Sequence, residues 1–195
     1  MSTAAAKTYL TPEQYLAMER KSEVKHEYDR GRIIAMAGAS REHNLIALNV
    51  ASAIHIGLRD RPCEAYAGDM RVRVEDGRYV YPDVVVACGE PRFEDGEVDT
   101  LLNPTLIVEV LSPSTEDRDL GRKLNQYKTI ESLQEIVIIN QDEVRIKLYT
   151  KREGNWVPSE LDDLAATLRL ESIGCGVPLR EVYARVKASP TEKGR

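Results

Sequence analysis

Two apolar runs, each holding one acid, constrain this chain more than any other feature: Val80 to Ala87 around Asp83, and Leu106 to Leu111 around Glu109. Short apolar runs bounded by turn residues read as buried strands rather than helices. A third run, Ile136 to Ile139, sits inside a predicted buried strand from Gln134 to Asn140. None of the three approaches the length needed to span a bilayer. A carboxylate inside such a strand is costly unless it is paired or bound to a cation. Two of them on neighbouring central strands suit a hard ion such as Mg²⁺, which takes oxygen ligands and keeps several waters.

The rest of the chain supplies helices to cover those strands. Thr11-Pro12-Glu13-Gln14 predicts a helix start, with a cap, proline at the first helical position and Gln at the capping-box position. That helix runs to about Lys21. Val24 to Tyr28 and Arg32 to Ala37 read as strands around the Asp29-Arg30-Gly31 turn. Ser40 begins a second helix, to about Leu58. Arg71 to Val74 alternates as a half-buried strand, Asp76-Gly77 turns the chain, and Tyr79 to Cys88 follows as one central strand. Gly89 to Asn103 reads as a surface connection and Pro104 to Leu111 as another buried strand. Ser112 to Thr115 caps a helix to about Ile130, with Glu116 and Asp117 at its positive end. Val144 to Tyr149, a stretch near Trp156, Leu168 to Leu170 and a short helix from Pro178 to about Val186 complete the reading. The expected fold is mixed α/β (α+β), a central mixed sheet flanked by helices. It forms a single domain over 11–186, with a disordered leader (1–10) and a disordered tail (187–195).

Composition narrows the class. Of the 195 residues 42% are hydrophobic and 30% charged, ordinary for a globular protein with a full core. The N-terminus has no apolar stretch of the kind a secretory signal carries. Cys63, Cys88 and Cys175 are widely separated and odd in number, so neither a disulfide framework nor a zinc knuckle is expected. Cys88 reads as a small core residue, and a reducing cytoplasm as the compartment. The net charge of −5 argues against broad wrapping of nucleic acid, while leaving room for a local basic rim around an acidic pocket.

Pro82-Asp83, followed by Glu109-Val110-Leu111, resembles the PD-(D/E)XK nuclease superfamily, whose motif is Pro-Asp, a spacer, then acid-x-Lys. Longer stretches resemble one bacterial branch of it, the Uma family of candidate restriction endonucleases. These are His26 to Gly31, Arg41-Glu42-His43, Tyr81 to Val84, and Pro104 to Tyr127 with its Val108-Glu109-Val110-Leu111-Ser112-Pro113-Ser114 core. The resemblance covers roughly Thr11 to Val186. It implies a restriction-endonuclease-like fold and a magnesium-dependent hydrolase that cleaves phosphodiester bonds of nucleic acid, with DNA the favoured substrate.

One departure is plain. Alternation puts residues 109 and 111 on one face of the strand, so the usual lysine place is taken by Leu111. The next helix offers a substitute. Its stripe Leu120, Leu124, Tyr127 faces the core, and Lys123, four residues before Tyr127, can reach across while its stem packs on apolar surface. The bland alternatives are that Lys123 pairs with Asp119, that Asp83 is a turn residue, and that Glu109 pairs with an arginine. By resemblance Glu27 is a further acid near the metal. His43, at a helix start, can hydrogen-bond phosphate or water, or simply serve the cap. Arg122 and Arg73 are the candidate phosphate contacts, which position a nucleic acid without reading its sequence.

The mechanism this implies has Asp83, Glu109 and the backbone carbonyl of Val110 holding Mg²⁺ or Mn²⁺, with Lys123 steadying negative charge on phosphorus. Its rival is a catalytically degenerate module of the same fold that binds nucleic acid or forms oligomers. Leu111 and the acidic charge favour the rival; retention of Asp83, Glu109 and Lys123 together opposes it. No membrane partner is expected, and a homodimer is allowed.

Overall fold

The computed structural model describes residues 9–36, 38–74, 77–111 and 118–189, with backbone alone for 118–120. The helices are α1 (Pro12–Glu19), α2 (Arg41–Gly57), α3 (Arg118–Tyr127) and α4 (Leu179–Val182). The early strands are β1 (His26–Asp29), β2 (Arg32–Ala35), β3 (Cys63–Ala67), β4 (Arg71–Val74), β5 (Arg78–Val80) and β6 (Val84–Cys88). Then come β7 (Thr100–Leu101), β8 (Leu106–Leu111), β9 (Glu135–Asn140), β10 (Ile146–Arg152), β11 (Asn155–Leu161), β12 (Thr167–Leu170) and β13 (Cys175–Pro178).

A six-stranded sheet in the order β11-β10-β9-β8-β6-β3 forms the centre, parallel between β8 and β9 and antiparallel elsewhere. A five-stranded sheet, β2-β1-β5-β4-β7, and the β12-β13 hairpin complete the strands. The central sheet is buried on both faces because its side chains alternate between two cores. Val84, Val86, Leu106, Val108 and Val137 face one side, packed with Ile46, Val50 and Ile54 of α2 and with β12, β13 and α4. Val85, Ala87, Ile107, Ile136 and Ile138 face the other, against Val72, Val74 and Val80 of the second sheet and Tyr127 of α3. This is the mixed α/β architecture expected of the sequence, with a second sheet that was not foreseen.

Local chemistry explains where the elements begin. Thr11 accepts from the Gln14 amide while Gln14 Oε1 accepts from the Thr11 amide at 2.9 Å, the reciprocal capping box. The β1–β2 turn places Arg30 and Gly31 at positive φ (48° and 92°), the twist a two-residue hairpin needs.

Several expectations are corrected. Tyr79 to Cys88 is two strands in different sheets: β5 ends at Val80, β6 starts at Val84, and the chain changes sheets at Tyr81-Pro82-Asp83. Proline has no amide hydrogen to give a ladder, which makes Pro82 a natural break. Asp83 therefore precedes its strand instead of lying within it. The connection Gly89 to Asn103 contains buried β7, and β3 and β13 were not anticipated.

Cys63 and Cys88 stand directly opposite in the β3–β6 register and are joined as a disulfide, leaving Cys175 free. Sequence spacing hid this because β3 was unrecognised, and with it goes the cysteine argument for a reducing compartment. Ser189 also pairs with Glu143, its amide donating to the Asp142 carbonyl at 2.8 Å, so ordered chain extends past residue 186. The expected Ser112–Thr115 cap, Asp76 and most of the terminal segments lie outside the described residues. No described helix is long and apolar enough to cross a membrane.

Candidate active site

Asp83 and Glu109 come together because β6 and β8 pair antiparallel with Val84 opposite Val108. One step further along that register Asp83 comes level with Glu109. Both have the parity of Val85 and Ile107, and so share the face that α3 covers. Asp83 Oδ2 accepts the Val110 amide hydrogen at 2.7 Å, which fixes its carboxylate to β8. Its other oxygen meets His43 Nε2 at 2.8 Å. His43 is held in turn by α2, where its amide donates to the Ser40 cap at 3.0 Å.

Glu109 is buried and meets α3. Lys123 Nζ lies 3.3 Å from Glu109 Oε1 and 2.8 Å from Glu27 Oε1 on β1. The Tyr127 hydroxyl donates to the same Glu109 oxygen. Lys123 and Tyr127 are one helical turn apart, which is why a single carboxylate can receive both. The ammonium thus arrives from the helix, while Leu111 lines the same cavity as an apolar side chain. Any pairing of Lys123 with Asp119 falls on a side chain outside those described.

These contacts set the protonation states. Burial pushes the Glu109 carboxyl up to about 7; Lys123 opposes that shift, and Asp83 adds to it. Burial also disfavours the Lys123 ammonium, but Glu109 and Glu27 outweigh it and hold its pKa above the ordinary lysine value. Burial, then Glu109, raise the Tyr127 phenol well above its usual pKa, so it stays a donor. The Asp83 hydrogen bond raises the His43 pKa against the effect of burial.

A cavity of about 660 Å³ opens over this cluster and is lined by Glu27, His43, Asp83, Glu109, Val110 and Lys123. Arg122 lines it too, with its guanidinium 2.9 Å from Asp29, which also binds Arg78 at 2.6 Å. Arg73 is not brought there: it pairs with Glu94 at 2.9 Å and lines a different pocket beside Arg92. Among the described residues no group of three or more His, Cys, Asp and Glu side chains forms a finished metal cage. The donor set nevertheless fits a hard divalent ion. Asp83, Glu109 and Val110 line one cavity, the Lys123 and Tyr127 bonds to Glu109 fall on one oxygen, and Mg²⁺ commonly takes one or two carboxylates and fills its shell with water and phosphate.

Two supports of the site, Tyr127 and Tyr81, are not among the residues that sequence patterning singles out. Tyr127 counted only as part of an apolar stripe, although its spacing from Lys123 was the available signal. Tyr81, directly before Pro82-Asp83, accepts from buried Arg71 at 3.0 Å and donates to buried Glu19 at 3.1 Å, which anchors the segment carrying Asp83. Nothing in local sequence joins residues 19, 71 and 81.

Comparison with known proteins decides the family. Residues 12–180 match the family described as "Uma2: Putative restriction endonuclease". The chain belongs to the Uma2 family. Two curated relatives come from Synechocystis, both named as uncharacterized proteins. The protein sll1609 is 37% identical over 163 residues, covering 83% of this chain and 92% of the relative. The protein slr1290 is 34% identical over 176 residues, covering 89% and 91%. A crystal structure from Anabaena variabilis, titled a "putative nuclease belonging to DUF820", superposes with a TM-score of 0.72. It covers 90% of this Uma2 chain and 98% of its own at 20% identity, which establishes a shared fold. Membership in a nuclease family implies a nucleic-acid substrate and suggests a metal cofactor.

Proposed function

We propose that this Uma2 protein is a divalent-metal-dependent endonuclease that hydrolyses phosphodiester bonds of DNA. The observation that carries the reading is the meeting of Asp83, Glu109 and Lys123 in one cavity although the lysine comes from a helix. A site with no chemistry to perform gains nothing from burying three charges together.

Asp83, Glu109 and the Val110 carbonyl would hold Mg²⁺ or Mn²⁺. When bound, such an ion polarises the scissile phosphate and acidifies a coordinated water. Asp83 is pre-oriented for this by the Val110 amide and His43, and Glu109 by Tyr127, so little rearrangement is needed at loading. Lys123 keeps its proton and presents positive charge where negative charge grows on phosphorus. Glu27 holds the Lys123 ammonium at 2.8 Å and is the nearby acid available to accept a proton or to contact a second ion. His43 can hydrogen-bond a phosphate oxygen or a water. Arg122 at the cavity wall is the phosphate contact, and Asp29 steadies its guanidinium. Arg73 drops out of this role. A cytoplasmic setting fits a nuclease acting on cellular DNA.

The test is cleavage of plasmid, linear single strands and RNA with Mg²⁺, Mn²⁺ or EDTA, beside Asp83→Asn. Metal-dependent cutting of DNA that Asp83→Asn abolishes supports the reading. Metal-independent binding with no cutting of any substrate would sink it and favour the degenerate module.

A further inference from the structure

The cavity over Asp83 and Glu109 also has an apolar part to its lining. Ile34 and Met36, on and just beyond edge strand β2, form one wall, and both are more than a third exposed. Asn44, Ala47, Leu48 and Ala51 form the other, a stripe along one face of α2. Leu48 is 64% exposed, although neighbouring Ile46 and Val50 are fully buried. A leucine, an isoleucine and a methionine left this exposed along one cavity mean that core packing does not explain them.

The lysines and arginines that line the cavity are all paired. Lys25 pairs with Asp69, Arg122 with Asp29, and Lys123 with Glu27 and Glu109. A net charge of −5 adds no long-range attraction. Phosphate contacts are then few, and nucleic-acid affinity from charge alone is small. The remaining holding energy has to come from apolar contact. The uncharged, flat part of a nucleotide is its base, and inside a duplex that face is hidden by stacking. Aliphatic side chains such as Ile, Leu and Met commonly reach it by wedging between base steps.

We infer that Ile34, Met36 and Leu48 form a base-receiving lip, and that the substrate is DNA with an unpaired or unstacked nucleotide next to the scissile phosphate. The inference rests on the nuclease reading and adds the substrate class to it. A cavity that sets exposed aliphatic side chains beside a charged cluster matches the nucleotide's own pairing of base and phosphate. Intact duplex fits less well, because opening it costs a few kcal/mol per unstacked step.

The test compares one sequence as perfect duplex, as duplex with a two-nucleotide bulge, and as single strand, cut in Mg²⁺ by the parent, Leu48→Ser, Ile34→Thr and Ile56→Ser. Ile56 is exposed on the same helix but lies outside the cavity lining. A 2-aminopurine at the unpaired position, read in Ca²⁺, reports whether a base is seated. The parent is expected to prefer bulge and single strand by roughly tenfold or more over duplex. Leu48→Ser and Ile34→Thr should shrink that ratio severalfold and remove the 2-aminopurine change, while Ile56→Ser keeps both, as expected for loss of a partly buried aliphatic contact. Equal cutting of duplex and unpaired DNA, an unchanged ratio in both lip variants, or an equal loss in Ile56→Ser would overturn the lip while leaving the nuclease standing. No cutting of any of the three substrates by the parent would remove both.

Discussion

Asp83 accepts the Val110 amide hydrogen at 2.7 Å, so the acid that ends one strand crossing is fastened to the strand carrying the other acid, Glu109. The pair of carboxylates is therefore a product of the β6–β8 register. A slip of one residue would send Glu109 to the face packed by α2.

Loading the site with metal should be visible without turnover. Ca²⁺ or Mg²⁺ is expected to raise the unfolding temperature, by about 2.7 kcal/mol of stabilisation at a hundredfold excess over Kd. Asp83→Asn and Glu109→Gln should each remove most of the shift and bring cleavage to background. Thermal scans with and without EDTA check this; an equal shift in both variants would place the ion elsewhere.

Lys123→Ala should lower cleavage by about 100-fold, the cost usual for deleting one donor aimed at developing charge. Lys123→Arg should recover part of it, since Glu27 and Glu109 can receive a guanidinium. If Lys123→Ala cleaves as fast as the parent while Asp83→Asn does not, the metal remains and the lysine's role is lost.

Tyr127→Phe keeps the buried ring and deletes only the bond to Glu109. The outcome expected is a loss of about 10–100-fold in metal affinity or activity. The readout that separates orientation from stability is metal titration at a temperature where both proteins are folded. Parent-like affinity would make Tyr127 a packing residue only.

The Cys63–Cys88 bond closes a loop with a sequence separation of 25 and pins edge strand β3 to β6. Denatured, unreduced protein should titrate one thiol, that of Cys175. Reduction should cost about 3.5 kcal/mol on the chain-entropy account. Three titratable thiols in unreduced protein would show the bond to be unformed.

Binding to duplex DNA should be weak with a shallow salt dependence, because each neutralised phosphate adds only about −0.9 to the slope of log affinity against log salt. Ca²⁺ should strengthen it by offsetting Glu27, Asp83 and Glu109. Arg122→Gln should reduce the slope, whereas Arg73→Gln, paired with Glu94 and lining the other pocket, should not. Anisotropy across a salt series decides it, and a steep slope in metal-free buffer would favour a non-catalytic binding module.

The sequence by itself determined the pieces whose causes are local. Thr11 and Ser40 announced α1 and α2 through side-chain caps, and the Asp29-Arg30-Gly31 turn announced its hairpin. The apolar runs around Asp83 and Glu109 marked buried chain, although only Glu109 lies inside its strand. The i, i+4 spacing of Lys123 and Tyr127 was likewise there to be read, as was the Leu111 vacancy. Tertiary structure decided what depends on which strands become neighbours. Cys63 met Cys88 only once β3 paired with β6, and Pro82 became a crossover between sheets only because two sheets exist. Glu19, Arg71 and Tyr81 form their buried network from three distant segments. Arg73 went to a different pocket, and Leu48 remained exposed on the helix face away from Ile46, Val50 and Ile54. Hydrogen-bond caps and side-chain periodicity act over a few residues, so sequence records them directly. Pairing between distant strands is settled by the total burial of the whole chain, and no single segment carries it.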